Sequence, residues 1–120
     1  MQKKNKRALG TDYEELAAAW LEEQGFAILE RNFRCRTGEI DIIAQEGEYL
    51  AFVEVKYRTW EEQGDPAEAV DIYKQRGISR VAVSYLLKKH LPEDTPCRFD
   101  VIAISPKGIT LYRDAFPFQG

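Results

Sequence analysis

The pattern of hydrophobic and polar positions along the chain predicts two helices and five strands. From Asp12, a suitable N-cap, to about Gln24, apolar residues recur at helical spacing, and a glycine follows as a stop signal. Three apolar runs, FAILERNFRCR, GEIDIIAQ and EYLAFVEVKYR, then predict three strands, of which the last two form a hairpin through residues 45–48. Helical spacing returns from about residue 66 or 67 to residue 89, before two closing strands, CRFDVIAIS and GITLYR. The predicted order is α-β-β-β-α-β-β.

Length and composition indicate one domain rather than two. The chain has 120 residues, of which 44% are hydrophobic, enough for a single core. We expect a basic N-terminal arm over residues 1–9, a single domain over residues 10–120, and a loop over the acidic segment TWEEQGDPAEA. No apolar stretch approaches the roughly 18 to 20 residues of a membrane span, and no apolar signal region follows the basic start. The sequence therefore predicts a soluble cytoplasmic protein with no membrane partner.

The cysteine and histidine residues and the net charge limit the kinds of site and partner that the sequence suggests. Cys35 and Cys97 lie far apart without metal-ligand spacing, and His90 is the single histidine, so neither a zinc site nor a disulfide framework is expected. The net charge of −3 is not typical of a nucleic-acid-binding protein. Basic residues nevertheless cluster in the arm, along the first predicted strand and in the second predicted helix. This distribution permits a basic, phosphate-facing surface, and the alternative is an ordinary solvated surface of mixed charge.

Three charged residues, Asp41, Glu54 and Lys56, lie within the apolar runs of the second and third predicted strands. Side chains alternate faces along a strand, so Glu54 and Lys56 share one face with Phe52. A turn at residues 46–47 would set Asp41 opposite Phe52 and diagonal to Glu54, roughly 7 to 8 Å away between Cα atoms. Two carboxylates at that separation can share one divalent cation.

Two carboxylates in an apolar setting need compensation, because desolvating each charge is costly. A divalent metal ion would supply it, and Lys56 could hold a water molecule or stabilise a developing negative charge. Such a site suits metal-assisted hydrolysis of a phosphodiester, which needs no serine, cysteine or histidine nucleophile. The alternative is that Glu54 and Lys56 form an ordinary ion pair, with Asp41 paired to Arg58 or Arg34.

The chain resembles the YraN family of small bacterial proteins along nearly its whole length. The resemblance rests on GTDYEELAAAWLEEQGFAILERNFR, on GEIDIIA followed by FVEVKYR, on AVDIYKQRGISRVAVSYL and on RFDVIAI. It implies a restriction-endonuclease-like fold, similar to archaeal Holliday junction resolvases, with a central mixed β-sheet of five or so strands flanked by helices. It also implies that Glu14, Asp41 and Glu54 bind Mg2+ or Mn2+ and that Lys56 completes the catalytic site. The chain departs from the family pattern at one position, since the pattern often has glycine before the helix glutamate where this chain has Tyr13.

These observations lead to the hypothesis of a metal-dependent endonuclease that hydrolyses phosphodiester bonds in DNA, with branched or otherwise structured DNA as a candidate substrate. Lys74 and Gln75 lie beside the apolar stripe of the second predicted helix, which can aim them at the site; alternatively, Lys74 extends off that stripe into solvent. The residues expected to contact nucleic acid are Arg31, Arg34, Arg36, Arg58, Lys74 and Gln75. A homodimer would suit paired strand scission. The alternative function is a noncatalytic nucleic-acid-binding or adaptor module on the same fold.

Overall fold

The computed structural model describes the backbone of residues 6–58 and 70–120, and the side chains within these ranges from residue 12 onward. The described residues form an α/β fold in the predicted order. Its helices and strands are α1 (Lys6–Glu23), β1 (Ala27–Cys35), β2 (Gly38–Glu46), β3 (Tyr49–Tyr57), α2 (Ile72–Lys88), β4 (Cys97–Ser105) and β5 (Gly108–Phe116). The predicted loop TWEEQGDPAEA and residues 1–5 of the predicted basic arm lie outside the described residues. Neither described helix combines the length and the apolar character of a membrane span.

The five strands form one mixed sheet in which the spatial order follows the chain order. All neighbouring strands are antiparallel except β3 and β4, which are parallel and are connected through α2, as a parallel pair requires. Ala17 and Leu21 of α1 lie in one buried cluster with Val53. Tyr85 of α2 lies in a second cluster with Phe52, the next residue along β3. The two helices therefore cover opposite faces, and the predicted mixed sheet flanked by helices is confirmed.

Helix α1 begins at Lys6, so Asp12 lies inside the helix and the prediction that it is the N-cap is wrong. A glycine within a helix costs about 1 kcal/mol relative to alanine, so Gly10 weakens the first turns without ending them. The predicted end is confirmed. Gly25 has a φ of +101°, and the Phe26 N–H donates to the Leu21 carbonyl at 3.0 Å. This bond satisfies a carbonyl group that the end of the helix leaves without a helical partner.

Helix α2 begins at Ile72, later than the predicted start at residue 66 or 67. Asp71 is its N-cap, and the Asp71 Oδ1 atom accepts a hydrogen bond from the Lys74 N–H at 2.9 Å. An aspartate at this position satisfies an amide that the first turn leaves without a helical acceptor. The cap thereby fixes the turn from which the Lys74 side chain reaches Glu54 on the sheet.

The hairpin between β2 and β3 turns one residue later than predicted. Residues 47–48 form the turn, and its glycine has a φ of +57°, which glycine adopts without strain. Phe52 consequently pairs with Ile43 and not with Asp41. The predicted diagonal arrangement of Asp41 and Glu54 is therefore wrong, because this register brings Asp41 to the level of Glu54.

An ionic network that is buried at Asp100 and partly exposed at Glu46 and Arg113 connects β2, β4 and β5. Asp100, which has no exposed surface, accepts hydrogen bonds from Arg98 at 3.0 Å and from the Asp114 N–H at 2.9 Å. Arg98 and Arg113 both donate to Glu46. The hydrogen bonds from Arg113 and Arg98 lower the pKa of Glu46 to about 2. An ionised Glu46 therefore stabilises the region where these three strands are joined.

Glu46→Gln is expected to destabilise the protein more at neutral pH than in acid near pH 2.5. The folded state lowers the pKa of Glu46 from 4.5 to about 2, so the stabilisation is present above pH 4.5 and is lost as the pH falls through about 2. The side chains of Arg113 and Glu46 are 49% and 24% exposed, and solvent screening limits the loss at pH 7 to about 1–2 kcal/mol. Denaturant unfolding at pH 7 and pH 2.5 measures it, with Glu48→Gln in the exposed turn as the control. An equal loss at both pH values would contradict this interpretation.

Candidate metal centre

Asp41 lies where strands β2 and β3 separate. The last residues that pair across these strands are Ile42 and Val53, and beyond them the Asp41 Oδ2 atom accepts a hydrogen bond from the Val55 N–H at 2.8 Å. The carboxylate thereby replaces a backbone acceptor that β2 no longer offers to β3. The Asp41 side chain is consequently held between the two strands, beside Glu54.

In β1 and β2, the regular alternation of side chains between the two sides of the sheet is interrupted at the level of Asp41. Ile42 belongs to the cluster on the α1 side and Ile40 to the cluster on the α2 side, although residues two apart on a regular strand share a face. In β1, Phe33 pairs with Ile40 and also lies on the α2 side. The preceding residue, Asn32, has a left-handed φ of +52° and lies opposite Asp41. The regular structure of the sheet is therefore interrupted at Asp41, where β2 and β3 cease to pair.

Asp41 and Glu54 form a buried pair of carboxyl groups. The two residues are only 8% and 6% exposed, and their side chains are close enough to share a hydrogen bond. Burial, this hydrogen bond and the charge of Asp41 raise the pKa of Glu54 to about 9. The charges of Lys74 and Lys56 oppose this rise without cancelling it. At neutral pH, and with no further cation, the pair therefore retains one proton.

One oxygen of Glu54 is a buried acceptor without a hydrogen bond. Its partner is Lys74, whose Nζ lies 3.3 Å from Glu54 Oε2, an ion-pair distance at which the angles do not make a well-formed hydrogen bond. Mg2+ and Mn2+ prefer hard oxygen ligands, and one such ion would satisfy this oxygen and balance the second negative charge. The donor set therefore fits a divalent cation.

Glu14 approaches the pair from α1, which covers the opposite face of the sheet from Lys74. Burial raises the pKa of Glu14, and the negative charges of Asp41 and Glu39 raise it further. A hydrogen bond from the Asn32 side chain acts in the opposite direction. Sequence reasoning missed Asn32, although an asparagine within a predicted strand is a signal, because strand interiors disfavour this residue.

Glu14 does not join Asp41 and Glu54 in a group of three ligands. Across residues 12–58 and 70–120, no three Asp, Glu, His or Cys side chains are grouped so that they could hold a metal ion together. Asp41 and Glu54 are in contact, and Glu14 is near enough to Asp41 for their charges to interact. Mg2+ is usually held by one or two carboxylates, while water and substrate phosphates complete its coordination shell. This arrangement is therefore suited to Mg2+ with a phosphate substrate.

Two lysines lie beside the carboxylate pair. Burial alone would lower the pKa of Lys74, but the neighbouring carboxylates, Glu54 first, raise it overall. Lys56 lies on the same face of β3 as Glu54, and its positive charge acts on that carboxyl group. The fold thus brings together one lysine from a strand and one from a helix.

The predicted arginine contacts with nucleic acid differ in their surroundings. Arg31 is half-buried, and its charge acts on Glu14. Arg34 donates to Glu39 at 2.8 Å. Arg36 is exposed in the turn that follows β1, and Arg58 follows β3 and is half-buried. The charge of Arg31 acts on Glu14, and its Nη1 atom lies 4.0 Å from Glu15 Oε1, a long ion pair.

Gln75 is buried, and its side-chain amide bonds within the protein. Its Nε2 donates to the Val70 carbonyl at 2.7 Å, and its Oε1 accepts from Gln119 Nε2 at 3.2 Å. These bonds connect α2 to the residue before its cap and to the C-terminal segment. Gln75 thus has an internal bonding role, and its contact with nucleic acid stays a prediction.

Tyr13 stacks on Tyr57 beside the site. The ring centroids are 4.2 Å apart and the ring planes differ by 14°. The contact joins the residue before Glu14 on α1 to the residue after Lys56 on β3. A stacked aromatic pair contributes about 0.5–1.5 kcal/mol beyond its buried area. The ring pair therefore links α1 to β3 beside the site.

Comparisons with known proteins identify the family. Residues 13–104 match the Uncharacterised protein family UPF0102, which is the YraN family. The chain belongs to this family. A UPF0102 protein of Lachnoclostridium phytofermentans is 54% identical over 116 residues, which cover 97% of this chain and 98% of the relative. UPF0102 proteins of Syntrophus aciditrophicus and Alcanivorax borkumensis are 50% and 42% identical, each over 86% of this chain and over 84% and 82% of their own lengths. The UPF0102 match includes the positions of Glu14, Asp41, Glu54 and Lys56, and the resemblance seen in the sequence is confirmed.

Proposed function

We propose that this UPF0102 protein is a metal-dependent nuclease that hydrolyses phosphodiester bonds in DNA. The observation that carries the proposal is the contact between the buried carboxyl groups of Asp41 and Glu54, with one oxygen of Glu54 left without a hydrogen bond. Two like charges in a buried position destabilise a fold unless something compensates them. A divalent cation is the compensation that hard oxygen ligands favour.

The residues of the site have distinct roles in this proposal. Asp41 and Glu54 hold Mg2+ or Mn2+, and Glu14 supports them from α1. When bound, the ion supplies Lewis-acid chemistry, withdrawing electron density from a phosphoryl oxygen and acidifying water. Hydrolysis joins the water oxygen to phosphorus and breaks the ester P–O bond; the attacking water loses a proton, and the leaving sugar oxygen takes one up to become a hydroxyl group. Lys56 stabilises the negative charge that develops on the phosphate during this exchange.

Nucleic acid is the substrate class that suits the charges around the site. Three cations, Arg31, Lys56 and Lys74, surround the carboxylates, and Arg36 is exposed nearby along the chain. Contacts of basic side chains with phosphates supply most of the sequence-independent affinity for DNA. The resemblance to Holliday junction resolvases adds branched DNA to the substrates to be compared.

Cleavage of a labelled DNA panel tests the proposal. The panel contains single-stranded, duplex, flap and four-way-junction DNA, incubated with Mg2+, with Mn2+ or with EDTA. We expect cleavage of at least one substrate in a divalent metal and none in EDTA. Asp41→Asn, purified in parallel, serves as the control for a contaminating nuclease. DNA binding without cleavage of any substrate would instead favour a noncatalytic binding module.

A further inference from the structure

Asn32 has an unusual backbone conformation in the middle of β1. Its φ is +52°, whereas strand residues ordinarily have values of about −120° to −140°. In the described part of the chain, two other non-glycine residues have a positive φ, His90 and Asp114. Asparagine tolerates the left-handed conformation better than most residues, but strand interiors disfavour it. Conformational outliers of this kind cluster at functional sites.

The conformation of Asn32 redirects β1. Phe33 packs on the α2 side of the sheet, whereas Arg31 Nη1 lies 4.0 Å from the Glu15 Oε1 atom of α1 on the other side. In a regular strand, residues 31 and 33 would share a face. Because Asn32 breaks the alternation, Phe33 stays in the core while the Asn32 side chain comes within hydrogen-bonding reach of Glu14.

Glu14 needs a donor that orients its carboxylate without neutralising it. The side chain is partly buried and faces the negative charges of Asp41 and Glu39. The charge of Arg31 offsets part of this repulsion, and the remainder favours rotation of the Glu14 side chain away from Asp41. A lysine or arginine donor would compensate the carboxylate charge, whereas an amide N–H fixes the orientation and leaves the charge available to a cation.

We propose that Asn32 is a positioning residue of the metal centre, whose amide holds the Glu14 carboxylate toward Asp41 so that α1 contributes to the cation site. This inference rests on the proposed metal-dependent function and deepens it. Asn32 lies opposite Asp41, and Asp41 lies beside Glu54, so three neighbouring strands supply side chains at one level. The left-handed conformation serves the site by turning the amide of a strand residue toward the helix.

The test distinguishes the effect of the Asn32 side-chain amide from the effect of its left-handed backbone conformation. Asn32→Gly keeps a residue that accepts a positive φ and removes the amide. His90→Gly is the matched control, because His90 has a φ of +57° just beyond the C-terminal end of α2, far from the first-turn Lys74. Mn2+ affinity is measured by titration calorimetry, which requires no DNA cleavage. Since loss of an outer-shell partner weakens metal binding by about 10- to 100-fold, we expect at least a 10-fold loss for Asn32→Gly and none for His90→Gly.

A double-mutant cycle with Glu14→Gln shows whether Asn32 affects Mn2+ affinity through Glu14. If Asn32 acts through Glu14, adding Asn32→Gly to Glu14→Gln should weaken Mn2+ binding by less than 2-fold, so that the two losses are not additive. Wild-type affinity in Asn32→Gly, or fully additive losses, would overturn the role of Asn32 while leaving the metal centre intact. A wild-type protein that binds no Mn2+ would overturn the proposed function itself, and with it this inference.

Discussion

In the absence of divalent metal, Glu54→Gln is expected to be more stable than the wild type at pH 7 by about 3 kcal/mol. The folded state raises the pKa of Glu54 from 4.5 to about 9. The stability that the neutral carboxyl group provides is therefore fully present below pH 4.5 and is lost as the pH rises through about 9. Glutamine keeps the size and the uncharged state of that group at every pH. The gain should appear in EDTA as a rise in Tm of roughly 10 °C.

The pH dependence and the response to metal make this prediction specific. The two proteins should differ little at pH 4 and most near pH 9. Glu48→Gln, in the exposed turn between β2 and β3, is the matched control and should show no such gain. Saturating Mn2+ should raise the Tm of the wild type and leave that of Glu54→Gln nearly unchanged. A Glu54→Gln protein that is less stable than the wild type in EDTA at pH 7 would contradict the idea of a proton-sharing pair.

Asp41→Asn is expected to reduce the rate of DNA cleavage by more than about 100-fold. Loss of an outer-shell partner typically costs a metal site about 10- to 100-fold, and Asp41 is proposed to be a direct ligand. Asparagine can still accept the hydrogen bond that Asp41 Oδ2 accepts from the Val55 N–H at 2.8 Å, so the separation of β2 and β3 should persist. The initial cleavage rate on the best substrate, in Mg2+ and in Mn2+, measures the effect.

DNA affinity is the control for Asp41→Asn. Removing a negative charge does not weaken contacts with phosphates, so the variant should bind the same DNA in EDTA at least as tightly as the wild type does. Asp41→Ala is a less informative variant, because it leaves the Val55 N–H without an acceptor, at a cost of about 1–3 kcal/mol. Full cleavage activity in a folded Asp41→Asn protein would exclude Asp41 from the site.

The class of the fold and the charged face of β3 could be predicted because both depend on simple periodicity. Strand β3 is regular, so alternation alone separated Phe52 and Glu54 from Val53, and the structure confirms this division. The hairpin register was predicted wrongly, because two turns one residue apart both fit the composition of residues 45–48. The error displaced Asp41 by two pairing positions, from Phe52 to the level of Glu54. A shift of two preserves parity, so alternation still assigns Asp41 to the face of Phe52, but the alternation of β2 breaks at this residue, between Ile40 and Ile42.

The conformation of Asn32 could not be predicted from the pattern of the sequence. A strand pattern assumes that every residue alternates, whereas Asn32 breaks the alternation with a φ of +52°. Its contact with Glu14 then depends on how α1 packs on the sheet, which no local signal in FAILERNFRCR contains. The start of α2 was misplaced for a related reason, because helical spacing continued before Asp71 although this residue caps the helix.

The central claim is that Asp41 and Glu54 together bind one divalent cation. The most direct test is the Tm of the wild type and of Asp41→Asn as the free Mn2+ concentration is raised. We expect the wild type to gain stability steadily, by about 2.7 kcal/mol when Mn2+ reaches a hundred times its Kd, and Asp41→Asn to gain none. An equal gain in both proteins, or no gain in either, would show that this carboxylate pair is not a metal site.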